Sequence, residues 1–193
     1  RWFDTNPVDR GETIKRALCT RKKAENSKDM TDNSLEMNSG SLSNGSLMRI
    51  APLGIYGLVI DNKHLKELVK QECMLTHPNE IVVDICYVYC LACKYAILGY
   101  DKDIIYKKIL KAAEHPRTKI VLREAQYSSE PVYIIDGYKE TYIYTDNKKF
   151  QGYIGIALQN AIYELLNTSD PSVAIVNVAK RGGDTDTNCA ITG

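Results

Sequence analysis

The sequence predicts an all-α protein, and three observations favour that class. Apolar residues recur at helical spacing through most of the chain, residues typical of helix ends separate these periodic segments, and strand-like composition is confined to residues 114–150. The chain has 193 residues, which is enough for one domain with a sizeable core. We therefore expect a single domain over residues 1–193.

The first part of the chain predicts a short helix followed by a long loop. Residues 12–24 have helical periodicity, with Ile14, Ala17 and Leu18 on one side. Residues 22–44 are rich in Ser, Asn and Asp, which predicts a polar loop. A loop of that length inside a domain is usually either functional or disordered.

Two longer helices are predicted next. Asp61 or Asn62 is expected to cap the first of them. Thr76 and Pro78 are typical of the start of the second, because Thr is a capping residue and Pro is tolerated in the first turn. This second helix is apolar nearly all round until Gly99 ends it, so we expect it to be buried at the centre of the fold.

The second half of the chain continues the helical pattern after one ambiguous region. Asp101 is expected to begin a helix. Within the ambiguous residues 114–150, the β-branched and aromatic stretches 131–138 and 141–145 favour short strands, although a helical neighbourhood can override that preference. Helical periodicity resumes at about residues 153–166.

The last predicted helix leads into an acidic segment. Asp170 and Pro171 are typical of its start, and the basic residues Lys180 and Arg181 suit its C-terminus. Residues 182–188 then read Gly-Gly-Asp-Thr-Asp-Thr-Asn. The two glycines are expected to end the helix and to turn the backbone sharply.

The acidic segment carries the strongest chemical signal in the chain. Asp and Thr oxygens are hard ligands of the kind that Mg²⁺, Mn²⁺ or Ca²⁺ prefers, which predicts a metal site at Asp184, Asp186 and Thr187. Asp184 is also expected to cap free N–H groups if a helix begins there, and a capped acidic helix start would be the simpler interpretation of a lone Asp-x-Asp. The preceding Gly-Gly and the hydroxyl of Thr187 favour the metal site. An EF-hand calcium loop fits less well, because Cys189 stands where such a loop needs glycine.

The composition excludes several kinds of function. Lys and Arg total 25 against 24 Asp and Glu, a formal net charge of +1, so no general attraction to nucleic acid or membranes follows. No apolar run approaches the length of a membrane span, and no signal-peptide pattern opens the chain. We expect an intracellular protein with neither a nucleic-acid partner nor a membrane partner.

The cysteines are interpreted as core residues. Cys86, Cys90 and Cys93 lie at i, i+4 and i+7, on one face of a predicted helix, where cysteine usually serves as a small apolar residue. Cys90 and Cys93 could form half of a zinc or redox site, but no second Cys-x-x-Cys or His pair accompanies them. Reduced thiols fit an intracellular protein.

Two further polar elements stand apart from the helical background. The Gly/Ser-rich segment 40–45 can present backbone N–H groups to a phosphate, although a flexible linker has the same composition. His77 lies at a predicted helix start, where a capping or surface role is the usual one. Each signal is weak when taken alone.

The order and spacing of these elements resemble the ADP-ribosylglycohydrolase family, which includes the dinitrogenase reductase-activating glycohydrolases and the ADP-ribosyl-acceptor hydrolases. The opening Arg1-Trp2 and Val8-Asp-Arg-Gly-Glu-Thr13 are also similar to that family, so the resemblance covers essentially the whole chain. The motifs that carry it are Asn44-Gly-Ser-Leu-Met-Arg-Ile-Ala-Pro-Leu-Gly54, Thr76-His77-Pro78, Gly152-Tyr153 and Gly182-Gly-Asp-Thr-Asp-Thr-Asn188.

The resemblance implies a compact all-helical orthogonal bundle with two Mg²⁺ or Mn²⁺ ions in a cleft. Asp184, Asp186 and Thr187 match metal ligands of the family, with Asp186 between the ions, and Asp184 and Asp186 are the candidate catalytic residues. Ser43 stands where some members carry Gly, so ligand affinity or specificity is expected to differ. The ligand-binding residues that the resemblance implies are Gly40, Ser41, Asn44 and Gly45 around the diphosphate and distal ribose of ADP-ribose, His77 lining that pocket, and Leu42 where some members carry an aromatic residue.

The function implied by the resemblance is metal-dependent hydrolysis that removes ADP-ribose from a modified protein side chain or from an ADP-ribose-containing small molecule. Cleavage at the anomeric carbon of the ribose passes through an oxocarbenium-like transition state. A catalytically inactive ADP-ribose-binding or structural member of the same fold is the alternative. The sequence does not distinguish arginine, serine and O-acetyl-ADP-ribose substrates.

One element of the family pattern does not occur in residues 1–193. The other metal ligands of the family come from an N-terminal Thr-Asp-Asp-Thr-like element and an acidic residue upstream of it, and residues 1–40 contain no such string. Both ends of the chain look cut from a longer protein, so we expect the N-terminal metal-ligand segment and a C-terminal helix to be absent. By itself this chain is expected to be inactive or very weak as an enzyme.

Overall fold

The all-α prediction is confirmed by the computed structural model, which describes residues 2–5, 7, 10–20, 23–130, 133–135, 138–140 and 151–193. Within these residues, short 3-10 helices lie at Trp2–Thr5, Leu47–Arg49 and Gly57–Val59. The α-helices of the described residues are α1 (Glu12–Leu18), α2 (Ser27–Met37), α3 (Ala51–Tyr56), α4 (Asn62–Met74), α5 (Glu80–Ile97), α6 (Lys102–Ala112), α7 (Pro116–Tyr127), α8 (Ile154–Asn167), α9 (Pro171–Arg181) and α10 (Thr185–Thr192).

Helix α5 is the centre of the fold. It packs against α3, α4, α6 and α8, and most of its apolar side chains are buried in the core. Cys86 and Cys90 are fully buried within it, and Cys93 is half-buried. The predicted central helix and its cysteine stripe are therefore confirmed as core, and all six cysteines of the chain are free thiols.

Helix α8 forms a second layer that carries the end of the chain. It packs against α7 on one side and against α10 on another, and α9 packs against α10. Its apolar residues, including Ile154, Leu158 and Ile162, lie in the same core as those of α5. Removing this apolar surface from water is the main stabilising contribution to such a bundle.

Aspartate caps confirm several of the predicted helix starts. The side chain of Asp61 accepts a hydrogen bond from the backbone N–H of His64 at 2.8 Å. Asp101 caps α6 in the same way at the N–H of Asp103, also at 2.8 Å. Asp170 accepts from the N–H of Ser172 at the start of α9. These caps satisfy N–H groups that have no partner inside the helix.

The loop predicted at residues 22–44 is wrong, because it contains helix α2. Asn26 caps α2 by accepting from the N–H of Asp29 at 3.0 Å. Asn33 and Ser34 are buried and donate to the carbonyl oxygens of Ala17 and Leu75. Polar residues on the inner face of α2 therefore pair with the backbone of neighbouring elements, so the segment shows no apolar stripe from which a helix could be predicted.

The predicted start of the central helix is also wrong. Helix α5 begins at Glu80, and Asn79 caps it by accepting from the N–H of Ile81 at 3.0 Å. Thr76 does not cap this helix because its hydroxyl is used in contacts with Arg49 and His77. The backbone N–H of His77 instead donates to Cys73 at the end of α4.

The ambiguous region contains a helix and a short strand pair. Helix α7 begins at Pro116, and His115 caps it by accepting from the N–H of Arg117 at 3.1 Å. Strands β1 (Tyr133–Ile135) and β2 (Tyr138–Glu140) pair antiparallel, with Tyr133 opposite Glu140. The strand predicted at 141–145 lies outside the described residues.

None of the helices in the described part of the chain combines the length and the apolar character that crossing a bilayer requires.

Candidate functional site

The acidic segment follows a sharp turn between α9 and α10. Gly182 and Gly183 both have φ of +76°, a region that residues with a Cβ rarely adopt. The predicted turn at the two glycines is confirmed. Asp184 stands at the N-cap position of α10, but its side chain makes no capping hydrogen bond, so the predicted cap is wrong. Its carboxylate accepts a 2.7 Å hydrogen bond from Nδ2 of Asn44 instead.

The Gly/Ser-rich loop 40–45 is held beside the start of α8. The backbone N–H of Asn44 donates to the carbonyl of Gly152 at 2.8 Å, and the N–H of Ile154 donates to the carbonyl of Leu42 at 2.9 Å. A Cβ placed on Gly152 would lie 3.8 Å from Oδ2 of Asp184 and 3.9 Å from Oδ1 of Asn44. The loop, the start of α8 and the acidic segment therefore meet at one place.

The contact between Asn44 and Asp184 joins two motifs that are 140 residues apart in sequence. Asn44 is buried and Asp184 is half-buried, so the hydrogen bond is partly shielded from water. A hydrogen bond to a charged group is stronger than one between neutral groups. The bond accordingly fixes the position of the Asp184 carboxylate relative to the loop.

The other residues predicted in the acidic segment lie on the first turn of α10. Asp186 is exposed and Thr187 is half-buried. Neither makes a side-chain hydrogen bond to the loop that carries Asn44 among the bonds found in the described residues. The structure therefore brings Asp184 to the loop and leaves the Asp186 carboxylate open to water.

Residues 40–42 of the loop differ in their surroundings. Gly40 is exposed, and a Cβ there would meet nothing within 4 Å among the described residues. The side chain of Ser41 forms a 3.0 Å hydrogen bond with the hydroxyl of Thr13. The half-buried side chain of Leu42 packs against the hydrophobic core.

His77 contacts the loop from inside the protein. Its side chain is fully buried, and Nε2 lies 2.7 Å from Oγ of Ser43. A Cβ placed on Gly45 would lie only 3.1 Å from Cε1 of His77, so a larger residue there would require the ring to move by a few tenths of an ångström. Burial, with a smaller contribution from the positive charge of Arg49, lowers the pKa of His77 to about 4. The imidazole is therefore neutral at physiological pH.

Arg49 connects His77, through Thr76, to the loop and to α4. Its guanidinium donates to the carbonyl of Gly45 at 2.9 Å and to Oγ1 of Thr76 at 2.7 Å. It also pairs with the carboxylate of Glu72. The loop is therefore held on its buried side by the charged pair of Arg49 and Glu72, as well as by its backbone bonds to the start of α8.

The turn before Asp184 is fixed by a second polar cluster around Glu164 on α8. This residue is 2% exposed, and its carboxylate pairs with Arg181, the last residue of α9. Thr168 and Asn177 donate to its other oxygen. Burial raises the pKa of Glu164, but the hydrogen bonds from Thr168, Arg181 and Asn177 outweigh it, and the net pKa is below its ordinary value.

Comparison with known proteins identifies the family to which these motifs belong. The model of the ADP-ribosylglycohydrolase family matches residues 1–193. This chain belongs to the ADP-ribosylglycohydrolase family.

The relatives of the chain agree with this membership of the ADP-ribosylglycohydrolase family. A protein of Acanthamoeba polyphaga mimivirus named as an ADP-ribosyl glycohydrolase is 32% identical over 203 residues, a match that covers 100% of this chain and 59% of the relative. The chain therefore spans about three-fifths of the length of that protein. The solved structure of an ADP-ribosylglycohydrolase-related protein complex superimposes with a TM-score of 0.62 at 19% identity, over 96% of this chain and 69% of that chain. Likeness at that identity shows the shared fold.

The oxygen donors at the start of α10 suit the divalent ions that the ADP-ribosylglycohydrolase family implies. Carboxylate and hydroxyl oxygens are the ligands that Mg²⁺ and Mn²⁺ prefer, and Asn188, one helical turn after Asp184, adds a buried Oδ1 with no hydrogen-bond partner in the described part of the chain. Within the described residues, no group of three or more His, Cys, Asp or Glu side chains is arranged so that it could hold a metal ion. The donor set therefore fits such ions in kind and would supply part of a coordination shell.

Sequence reasoning found both motifs but missed the contacts that support them. Arg49 and Thr76 lie within the recognised motifs, but Thr76 was interpreted as a helix cap and no role was predicted for Arg49. Glu164 lies in no motif, so no sequence pattern indicated its role. Arg181 was interpreted only as a basic residue that suits a helix C-terminus. The one signal that could have indicated the Glu164 cluster is the position of Arg181 directly before the two glycines.

Proposed function

We propose that the protein is a metal-dependent hydrolase that removes ADP-ribose from a modified protein side chain. The observation that carries this proposal is the 2.7 Å hydrogen bond from Asn44 to Asp184. It joins the loop proposed to bind ADP-ribose to the segment proposed to bind metal, so that both functions lie at one site.

The loop is proposed to hold the diphosphate and the distal ribose of ADP-ribose through Gly40, Ser41, Asn44 and Gly45. Backbone N–H groups and hydroxyls in a loop beside a helix start are suited to phosphate oxygens. The bonds from the loop to Gly152 and Ile154 support this role, since they hold these groups in place before a ligand arrives. Leu42 and His77 are proposed to support the loop from the core side.

Asp184, Asp186 and Thr187 are proposed to hold two Mg²⁺ or Mn²⁺ ions. Such ions orient the hydroxyl groups of a substrate and lower the pKa of a water molecule that they bind. Asn44 holds one carboxylate oxygen of Asp184, whereas the Asp186 carboxylate is open to water. We therefore assign to Asp186 the role of accepting the proton of the attacking water, and to Asp184 that of a fixed ligand.

Binding of ADP-ribose without hydrolysis is the second candidate function. It is favoured by the donor set, since the described residues hold no group of three or more His, Cys, Asp or Glu side chains arranged to bind a metal ion. Two carboxylates and one hydroxyl are fewer donors than the six that an octahedral Mg²⁺ site needs. Water, substrate or protein residues outside this chain would have to complete each site.

A release assay on the full-length protein distinguishes the two candidate functions. ADP-ribosyl-arginine and ADP-ribosyl-serine peptides are incubated with wild-type protein and with Asp186→Asn, in Mg²⁺ or Mn²⁺ and again after chelation, and free ADP-ribose is measured. We expect release from one class of peptide that falls at least 100-fold on chelation and in the variant. Peptide binding without release would favour the second candidate, and release that is indifferent to chelation would contradict the metal-dependent mechanism.

A further inference from the structure

A continuous chain of hydrogen bonds runs beneath the loop to one of its hydroxyls. It starts at Glu72 and Arg49, passes through Thr76 and His77, and ends at Oγ of Ser43. Thr76 is 3% exposed and His77 is fully buried, so the bond between them, at the centre of the chain, is shielded from water. Three consecutive links of the chain measure 2.7 Å each.

The need to pair the buried Thr76 proton sets the direction of the bonds in this chain. A guanidinium can only donate, so Oγ1 of Thr76 accepts from Arg49. Thr76 is 3% exposed and its hydroxyl has no further partner among the described residues, so its proton is paired only when it donates to Nδ1 of His77. An imidazole whose Nδ1 accepts a hydrogen bond carries its proton on Nε2 when it is neutral. Nε2–H of His77 then donates to Oγ of Ser43.

The hydroxyl of Ser43 accepts a hydrogen bond from Nε2–H of His77, so its own proton needs a different acceptor. The neighbouring hydroxyls of Thr13 and Ser41 are each 3.4 Å away, longer than a good O–H···O bond, and they already pair with each other at 3.0 Å. Ser43 is half-buried and is followed directly by Asn44, which contacts Asp184. Its proton therefore has no good partner among these hydroxyls.

We propose that His77 is a positioning residue, held in its Nε2–H form by Thr76 and Arg49, which turns the Ser43 hydroxyl into a hydrogen-bond donor for a diphosphate oxygen of the bound ligand. This inference rests on the proposed function, because ADP-ribose supplies the diphosphate. The low pKa of His77 agrees with it, since a neutral ring is needed for Nδ1 to accept. Ser43 is then a binding residue in its own right, and Thr76 acts on the ligand through His77.

Thr76→Val tests the proposal because valine keeps the shape of threonine and removes its hydroxyl. The tautomer of His77 is measured by the ¹⁵N shifts of the imidazole in the full-length protein; this chain contributes three histidines, and His77 is assigned with His64→Gln and His115→Gln. We expect Nε2–H alone in wild type and in Thr76→Ser, and loss of that single form in Thr76→Val. ADP-ribose affinity, from calorimetry, is expected to fall about tenfold in Thr76→Val and to stay unchanged in Thr76→Ser.

Thr118→Val is the matched control for removing a buried threonine hydroxyl. Thr118 is fully buried on α7, and its hydroxyl has no hydrogen-bond partner in the described part of the chain. The substitution is therefore expected to leave both the His77 tautomer and the ADP-ribose affinity unchanged. An affinity loss in Thr118→Val equal to that in Thr76→Val would overturn the proposal, since any buried Thr→Val change would then have the effect.

A double-mutant cycle connects Thr76 to the Ser43 hydroxyl. Ser43→Ala is expected to lower ADP-ribose affinity about as much as Thr76→Val, and Thr76→Val is expected to cause no further loss in the Ser43→Ala background. Additive losses would overturn the proposal, as would an unchanged His77 tautomer or unchanged affinity in Thr76→Val. Failure of the wild-type protein to bind ADP-ribose is a separate result, which contradicts the proposed function as well.

Discussion

His77 is the residue whose protonation most directly affects the fold around the loop. The charged groups of its network are Arg49 and Glu72, and its direct hydrogen-bond partners, Thr76 and Ser43, are uncharged. Its pKa is about 4 in the folded protein against an ordinary value of 6.5. The unfolded chain therefore binds a proton before the native state does, and stability falls as the pH is lowered from 6.5 towards 4.

We predict that this histidine makes the protein acid-sensitive. Between pH 7 and pH 5 the free energy of unfolding of wild type should fall by about 2 kcal/mol more than that of His77→Gln, which has no titrating group at this position. Urea unfolding at the two pH values measures the difference. An equal loss in both proteins would mean that His77 is protonated as readily in the folded state as in the unfolded chain.

Substitution of Gly45 is predicted to destabilise the protein for a steric reason, whereas substitution of Gly40 is not. In Gly45→Ala the new Cβ would lie 3.1 Å from a buried ring that two hydrogen bonds hold in place. We expect a loss of about 1–2 kcal/mol of stability from this overpacking.

Gly40→Ala is the matched control for that prediction, since its Cβ would point into open space. Thermal unfolding should show a lower Tm for Gly45→Ala and little change for Gly40→Ala. Equal Tm values would mean that His77 moves aside easily, which would weaken the case for a fixed hydrogen-bond chain.

At the scale of helices, the pair formed by Glu164 and Arg181 joins α8 to the end of α9. Arg181→Met leaves the buried carboxylate of Glu164 without its charged partner, which should cost about 3 kcal/mol at pH 7. Glu164→Gln leaves a half-buried arginine that water can reach and should cost less. Urea unfolding at pH 7 is expected to rank the variants in that order.

The stability cost of Arg181→Met, relative to wild type, is expected to become smaller as the pH is lowered. In wild type the pKa of Glu164 is lowered, so its contribution to stability is present above the unfolded value and is lost as the pH falls through the folded value. In Arg181→Met the lowering by the guanidinium is lost while burial remains, so we expect the pKa of Glu164 to be higher than in wild type and part of the lost stability to return on acidification. A variant that stays equally destabilised at pH 7 and pH 5 would contradict this account of the pair.

Helices with an apolar face could be predicted from the sequence, and those held by polar contacts could not. Helix α5 shows a nearly continuous apolar surface, and α4, α6 and α9 have aspartate caps that the sequence displays directly. Helix α2 shows neither an apolar stripe nor a strong terminator, since its inner face pairs with distant carbonyl groups. Such pairing depends on the tertiary arrangement and leaves no periodic signal.

At the scale of the whole molecule, the fold brings together two motifs from opposite ends of the chain. The sequence predicted Asn44 and Asp184 separately, and the resemblance to ADP-ribosylglycohydrolases implied that they share a site. The 2.7 Å bond between them, the anchoring of the loop to Gly152, and the network through Arg49 and Thr76 appear only in three dimensions. No local pattern encodes them because each joins residues that are distant in sequence.

The central claim is that the loop around Asn44 and the acidic segment form one metal-dependent ADP-ribose site. Calorimetric titration of the full-length protein with ADP-ribose tests it most directly, in Mg²⁺ or Mn²⁺, after chelation, and in Asp186→Ala. We predict binding that weakens at least tenfold on chelation and in the variant. Binding of equal strength under all three conditions would contradict the shared site, and no binding by the wild-type protein would contradict the proposed function altogether.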